Sequence, residues 1–287
     1  MHTVLRSASK EVVIGPDQPF CIIGERINAT GRKIFQEQLR AGDLSRIEID
    51  VAQQVAGGAM MLDVNMGVPL ADEAALMIQA VKLVQSLTDL PLCIDSSVIE
   101  ALEAGLSAYE GKALVNSVTA EDERLEAILP LVKRYGAAVI ALPNDENEIP
   151  EQPERRLELA RKIVEIATGT YGIAVEDIVL DPLAMPIGAD TTYVVKTLDT
   201  ISLIHSELGV NMALGASNVS FGMPDRETIG AAFLSMAMRS GLTSAIMDAR
   251  SPQLVRAIKA ADLVLDRDPW GAAWIAAHRS QQATAGQ

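Results

Sequence analysis

Short apolar runs alternate with longer segments of helical period along nearly the whole chain. The runs fall at 20–25 ("FCIIGE"), 60–65 ("MMLDVN"), 92–96 ("LCIDS") and 113–118 ("ALVNSV"). Four more follow at 137–142 ("AAVIAL"), 177–182 ("DIVLDP"), 211–216 ("NMALGA") and 244–248 ("SAIMD"). Helical patterns occupy about 41–57, 71–88, 97–107, 121–135, 153–171, 190–208, 225–240 and 251–265. Strands that alternate with helices build parallel sheets. Eight such units in about 250 residues predict an α/β fold of the (β/α)8 TIM-barrel type. A doubly wound open sheet is the alternative; it needs fewer strands, and no Gly-rich dinucleotide fingerprint follows the first run.

Ser96 or Ser97, and Asp190, stand where helix caps belong. Ahead of the first run, "EVVIGPDQPF" reads as a short strand and a Gly-Pro turn, predicting a hairpin that plugs the lower mouth of the barrel. After the last helix, "DRDPWGAAWIAAHRSQQATAGQ" predicts a short Trp-bearing helix and a frayed end. With no repeat or linker in sight, a single domain over 1–287 is expected, its barrel spanning about 18–265.

Composition narrows the function. The 287 residues carry a net charge of -14, and the basic residues are scattered, which argues against a nucleic-acid partner. No apolar run approaches the ~18 residues that span a bilayer, and the N-terminus lacks a signal-peptide core, so a cytoplasmic protein is expected. Cys21 and Cys93 lie inside apolar runs and read as buried thiols.

In a barrel the chemistry sits at the C-terminal strand ends. There this chain places Glu25, Arg26, Asn28, Asp63, Asn65, Asp95, Asn116, Ser117, Asp181, Ser217, Asn218 and Asp248. Asp, Asn and Ser are favoured at caps and turns anyway, so any one of them reads first as a structural residue. Their recurrence at nearly every strand end weakens that explanation. His2, His205 and His278 fall away from the strand ends, as do the lysines, which removes an imidazole base and a Schiff-base amine. A mouth of Asp and Asn suits a flat, neutral, nitrogen-rich heterocycle, because carboxylates and amides match its N–H and carbonyl edge. The rival is a Mg²⁺ site on Glu25, Asp63, Asp95, Asp181 and Asp248, as in metal-dependent lyases; it lacks the usual Lys or His base.

Six motifs occur in order at successive strand ends: "GERINATGRKIF", "LDVNMG", "IDSS", "LVNSV", "DPLAMPIG" and "GASNVSFGMP". Together they resemble the pterin-binding methyltransferases, which include the methyltetrahydrofolate:corrinoid protein methyltransferases and the folate domain of cobalamin-dependent methionine synthase. The resemblance covers about residues 18–265. It implies methyl transfer between N5 of tetrahydrofolate and the cobalt of a corrinoid on a separate protein, since no "DxHxxG" stretch is present. 5-Methyltetrahydrofolate or tetrahydrofolate would be the substrate, with no metal bound directly and a homodimer as the assembly.

By the same resemblance, Asp95, Asn116 and Asp181 hold the pterin, and Asn218 reaches N5 as the catalytic group. Gly215 and Ser217 shape that wall, with Gly215 and Ala216 small so that the flat ring can come close; Arg226 lies near the folate; Asn28 and Asp63 are further edge contacts. Dihydropteroate synthase shares the barrel, but this chain lacks that enzyme's strand-end lysine. Phe221 departs from some free-standing members, which carry Gln after "SNVS".

Overall fold

Eight parallel strands close on one another in chain order: β3 (Cys21–Asn28), β4 (Met61–Asn65), β5 (Leu92–Asp95), β6 (Leu114–Thr119), β7 (Ala138–Leu142), β8 (Ile178–Leu180), β9 (Asn211–Gly215) and β10 (Ser244–Met247). β10 completes the barrel by pairing with both β9 and β3. The structure is a computed structural model and describes residues 1–147 and 149–285, with side chains through Arg279.

Helices follow the strands: α1 (Lys33–Arg40) and α2 (Ser45–Gly57) after β3, then α3 (Glu73–Leu87), α4 (Ile99–Ala108), α5 (Asp122–Tyr135) and α6 (Pro153–Gly169). α7 (Tyr193–Glu207), α8 (Arg226–Ser240) and α9 (Pro252–Val264) complete the ring, and α10 (Ala272–Ala285) follows it. The buried faces of the ring helices, such as Leu102, Leu125, Ile163, Ile201 and Phe233, join the outward side chains of the strands in one continuous apolar layer. Such a layer is what holds helices of modest intrinsic stability in place.

Two elements at the start of the barrel differ from the sequence pattern. β3 runs on to Asn28 through a register shift between Gly24 and Ile27, so it carries Glu25 and Arg26 within the strand. α1 is an additional short helix: Phe35 and Leu39, one turn apart, bury its inner face, and Gly42 at φ 75° lets the chain turn into α2. Ser96 does not cap α4. Its hydroxyl accepts from the Val98 amide, and α4 begins without a side-chain cap. Asp190 likewise closes a turn onto Thr192 just before α7.

The lower mouth is plugged as expected, by a different hairpin turn. β1 (Thr3–Arg6) and β2 (Glu11–Ile14) pair antiparallel, and the turn lies at Ser7–Lys10 rather than at Gly15-Pro16. Leu5, Val12 and Ile14 pack onto Cys21, Ile23, Met61, Cys93 and Leu114, filling the barrel's interior from below. Asn211 locks the plug: its Nδ2 donates to Thr3 Oγ1 and to the Ile14 carbonyl, each at 2.9 Å. Both cysteines are free and buried, and burial pushes the Cys21 thiol up to about 12. At the other end of the chain, α10 is a full helix; the last two residues of the expected frayed end lie outside the described residues.

Candidate functional site

The strand ends of β4, β5 and β6 bring four of the expected residues, Asp63, Asn65, Asp95 and Asn116, together in one polar group, and Asp181 stands at the end of β8. Parallel register sets Asn65 beside Asp95 and Asp95 beside Asn116. Asn65 Nδ2 donates to Asp95 Oδ2 at 2.9 Å, and Asn116 Nδ2 donates to Asp63 Oδ1 at 3.3 Å. Asp63 is buried at 2 % exposure, whereas Asp95, Asn116 and Asp181 are half-buried. On β8's end, Asp181 Oδ1 accepts the Leu183 amide at 2.8 Å. Among the described residues, Asp95 Oδ1, Asn116 Oδ1 and Asp181 Oδ2 accept no hydrogen bond, so each strand end keeps one acceptor for a ligand.

Burial governs the charge of this group. It raises Asp181 to about 7, against a smaller pull from the Leu183 amide and from Arg156. It raises Asp95 to about 6, opposed by the Asn65 hydrogen bond and helped by the charge of Glu73. Asp63 is pushed well up by burial and then by the charge of Asp95, with Asn116 and Cys93 hydrogen bonds opposing. All three carboxyl groups are thus raised by burial, a common state for groups built to meet a ligand.

Residues the sequence reading passed over hold this group in place. Arg156, from α6, is wholly buried and donates to the carbonyls of Pro150, Pro182 and Leu183, which fixes the loop carrying Asp181. The helical period of "PERRLELA" was the available signal, since it puts Arg156 on the apolar face with Leu159 and Ala160. Glu73 accepts the Ser96 hydroxyl and so tethers the β5 end to α3.

A second cluster stands on β3, β9 and β10. Ser217 donates to both oxygens of Glu25 at 3.2 Å. Burial raises the Glu25 carboxyl, with the Ser217 bond opposing. Asn218 is exposed, in a single 3-10 turn that follows β9 directly. Gly215 also packs against the catalytic candidate: a Cβ there would lie 2.9 Å from Asn218 Nδ2. Glycine thus makes room for the amide of Asn218.

Arg226, at the start of α8, pins this loop. It donates from Nη2 to the Ser217 carbonyl at 2.6 Å and from Nε to Ser220 Oγ at 3.3 Å, and it stacks 5.7 Å from the centre of the Phe221 ring. That contact gives Phe221 a local role. Asn28 closes a turn, with Oδ1 accepting from the Thr30 amide at 2.8 Å. Asp248 is gripped by Arg250 and by Gln54 Nε2. Burial pulls its carboxyl upward, yet those hydrogen bonds prevail and hold it at about 2.

An open cavity of about 860 Å³ adjoins this second cluster, walled by Glu25, Ser217, Arg226, Asp248, Arg250 and Leu254. The Asp95–Asn116–Asp181 group is not part of its wall. The mouth thus has two zones, a polar group with spare acceptors and a roomier flank with paired charges. Among the described residues, no three His, Cys, Asp or Glu side chains are placed to hold a metal ion.

A family model described as "Pterin binding enzyme" matches residues 24–248, the span that carries every strand end named above. The chain belongs to the pterin binding enzymes. It is 32% identical to a methionine synthase of Mycobacterium leprae over 93% of its own length. It spans only 23% of that longer protein. Among solved structures it is similar to dihydropteroate synthase of Xanthomonas albilineans, one form in complex with 7,8-dihydropteroate (TM-score 0.71, 21% identity, 91% of this chain and 98% of that one). Dihydropteroate synthase of Yersinia pestis is similar at TM-score 0.67 and 16% identity, over 92% of this chain and 99% of that one. At such identities the two synthases share the barrel with this chain, and the site must argue the reaction.

Proposed function

We propose that this chain moves a methyl group between N5 of tetrahydrofolate and the cobalt of a corrinoid carried by a second protein. The observation that supports it most is the polar group at Asp95, Asn116 and Asp181, with one spare acceptor per strand end, in a chain 32% identical to a methionine synthase. A reduced pterin presents a row of ring N–H and amino donors, and ionised Asp95 and Asp181 would each accept from it. A mismatched ring would leave those buried oxygens unpaired, which is costly.

The methylated N5 is a poor leaving group: the electron pair of its bond to carbon returns to nitrogen, so N5 must take up a proton from solvent before or as that bond breaks. Asn218 would sit beside it. Its amide can accept from a protonated N5 or donate to the free amine, stabilising charge without itself titrating. Arg226 and Gly215 would position that amide. When bound on its carrier, the corrinoid supplies a strongly nucleophilic metal centre, so the protein's main task is alignment. One pocket serves both directions by microscopic reversibility.

The approach of a second protein also fits the rim. Ile34, Leu70, Val98, Ile149, Val195 and Phe221 are exposed on segments that leave the upper strand ends or on the first helical turn after them. One such side chain on each of six segments around the mouth offers an incoming protein apolar contacts on every side.

The test is a reconstituted assay with tetrahydrofolate, methyltetrahydrofolate and a corrinoid protein, run in both directions. Asn218→Ala should bind folate and lose at least about a hundredfold in transfer rate, the low end for removing one such stabilising group. Near-normal turnover of that variant would reject the role of Asn218. Condensation of a dihydropterin pyrophosphate with 4-aminobenzoate, without methyl transfer, would assign the barrel to the synthase reaction instead. Arg26, Arg226 and Arg250 supply cations at this mouth, but all three are engaged, Arg226 by the Ser217 carbonyl and Arg26 and Arg250 by Asp248.

A further inference from the structure

A cleft of about 480 Å³ lies between the end of α2, the first turns of α9 and the helix α10. Arg250, Arg256, Lys259 and His278 line it together with Trp274 and Val255, and no carboxylate does. In a chain with a net charge of -14 this cleft wall is basic, with Glu227 the carboxylate that shares the next cleft with Arg256 and Trp274. Arg250 is matched by Asp248. Arg256 and Lys259 make no hydrogen bond or ion pair with the described residues. They stand at i,i+3 on α9, where two like charges repel and cost the helix stability. A carboxylate at either position would have served the fold better, which points to a ligand.

The cleft continues the mouth. Ala56, Gly57 and Arg250 are walls of both the cleft and the larger cavity beside Ser217 and Asp248. An elongated molecule can therefore have its ring at the strand ends, its middle along the Arg226–Leu254 wall and its far end against Arg256 and Lys259. Folates carry a glutamate tail that can be extended by γ-linked residues, each adding one carboxylate on a short aliphatic stem. The cations would meet the carboxylates, and Trp274 and Val255 the stems.

We propose that this cleft binds the anionic oligo-γ-glutamate tail of the folate substrate. The inference rests on the folate reading of the mouth. It also runs against the field of the whole molecule, because a chain this acidic repels a polyanion everywhere except at a local basic site. A preference for the longer tail is thus informative.

The experiment is titration calorimetry of tetrahydrofolate monoglutamate and triglutamate, on the wild-type chain and on the double variant Arg256→Ala/Lys259→Ala. Alanine keeps α9 helical at both positions. The wild-type chain should bind the triglutamate about tenfold more tightly at low salt, the yield of two partly exposed ion pairs. That ratio should fall toward one in the double variant and in about 0.5 M salt. If the monoglutamate binds but the ratio is already near one, or survives the double substitution, the tail site is refuted and the folate site stands. If neither folate binds, the reading of the mouth fails and takes the tail site with it.

Discussion

At the scale of the residue, the strand-end carboxylates work against the fold that holds them. Burial sets Asp181 at about 7 and Asp95 at about 6, well above the ~3.9 of an unfolded chain. A raised pKa means that the folded state prefers the protonated acid. The resulting stability is present below about pH 4 and is lost as pH rises through 6 and 7. Asp181→Asn keeps the acceptor for the Leu183 amide and removes the charge. It should be more stable than the wild type at pH 8, by on the order of 2 kcal/mol and with a higher melting temperature, and the two should converge near pH 4. Folate affinity should move the other way, falling at least about tenfold, because a neutral amide replaces a charged acceptor. Thermal denaturation at the two pH values, with calorimetry of folate binding, checks both; an equal melting temperature at pH 8 would refute the burial argument. In the wild type, folate binding should weaken as pH falls through about 7, when Asp181 takes up its proton. Gly215→Ala is the companion experiment. The added methyl meets Asn218 Nδ2 at 2.9 Å and displaces it, so turnover should drop more than folate affinity. Much of this was legible beforehand, since the residue types at the strand ends define the polar mouth. The packing of the Asn218 amide against Gly215 was not. Sequence spacing carries no information about where one amide packs.

At the scale of the element, the period of the chain gave up nearly all the barrel, because strands buried on both faces read as unbroken apolar runs. What it concealed has physical causes. α1 is eight residues long, with no capping side chain, and only Phe35 and Leu39 buried, too little for a periodic signal. The first strand of the hairpin, Thr3–Arg6, is too short to show alternation, so the turn was placed at the more conspicuous Gly-Pro. Arg156 was hidden because a buried arginine contradicts the usual reading of a charged position, and only the carbonyls of Pro150, Pro182 and Leu183 make it tolerable there. The hairpin itself makes a prediction. Leu5 is fully buried against the strand starts, remote from the upper mouth. Leu5→Ala should cost about 2–4 kcal/mol in chemical denaturation, as large-to-small core changes do, with no change in folate affinity. A loss of folate affinity in a variant that remains folded would show that the plug reaches the site.

At the scale of the whole molecule, two surfaces of different chemistry flank the mouth. The flank beyond Arg250 is basic and suits a small anionic ligand, while the rim of Ile34, Leu70, Val98, Ile149, Val195 and Phe221 is apolar and suits a protein. The two substrates of the proposed reaction differ in the same way. Leu70 is the plainest reporter on the rim: it is fully exposed on the loop from β4 to α3, at φ 64°, and supports nothing beneath it. Ile149, on the loop from β7 to α6, lies on another side of the mouth. Leu70→Asp with Ile149→Asp should leave the fold and calorimetric folate binding intact, since neither side chain is buried. It should raise KM for the corrinoid protein at least about tenfold, because removing one apolar side chain from a docked interface costs roughly 1–2 kcal/mol and burying a carboxylate in its place costs more. The rate with saturating corrinoid protein should change little, as neither substitution touches Asn218, the residue proposed to face the reacting nitrogen. If the KM is unaltered while turnover falls, the rim shapes the folate site rather than receiving a partner, and the protein docks elsewhere. If both are unaltered, those two loops face solvent throughout the cycle and the apolar rim has no part in transfer.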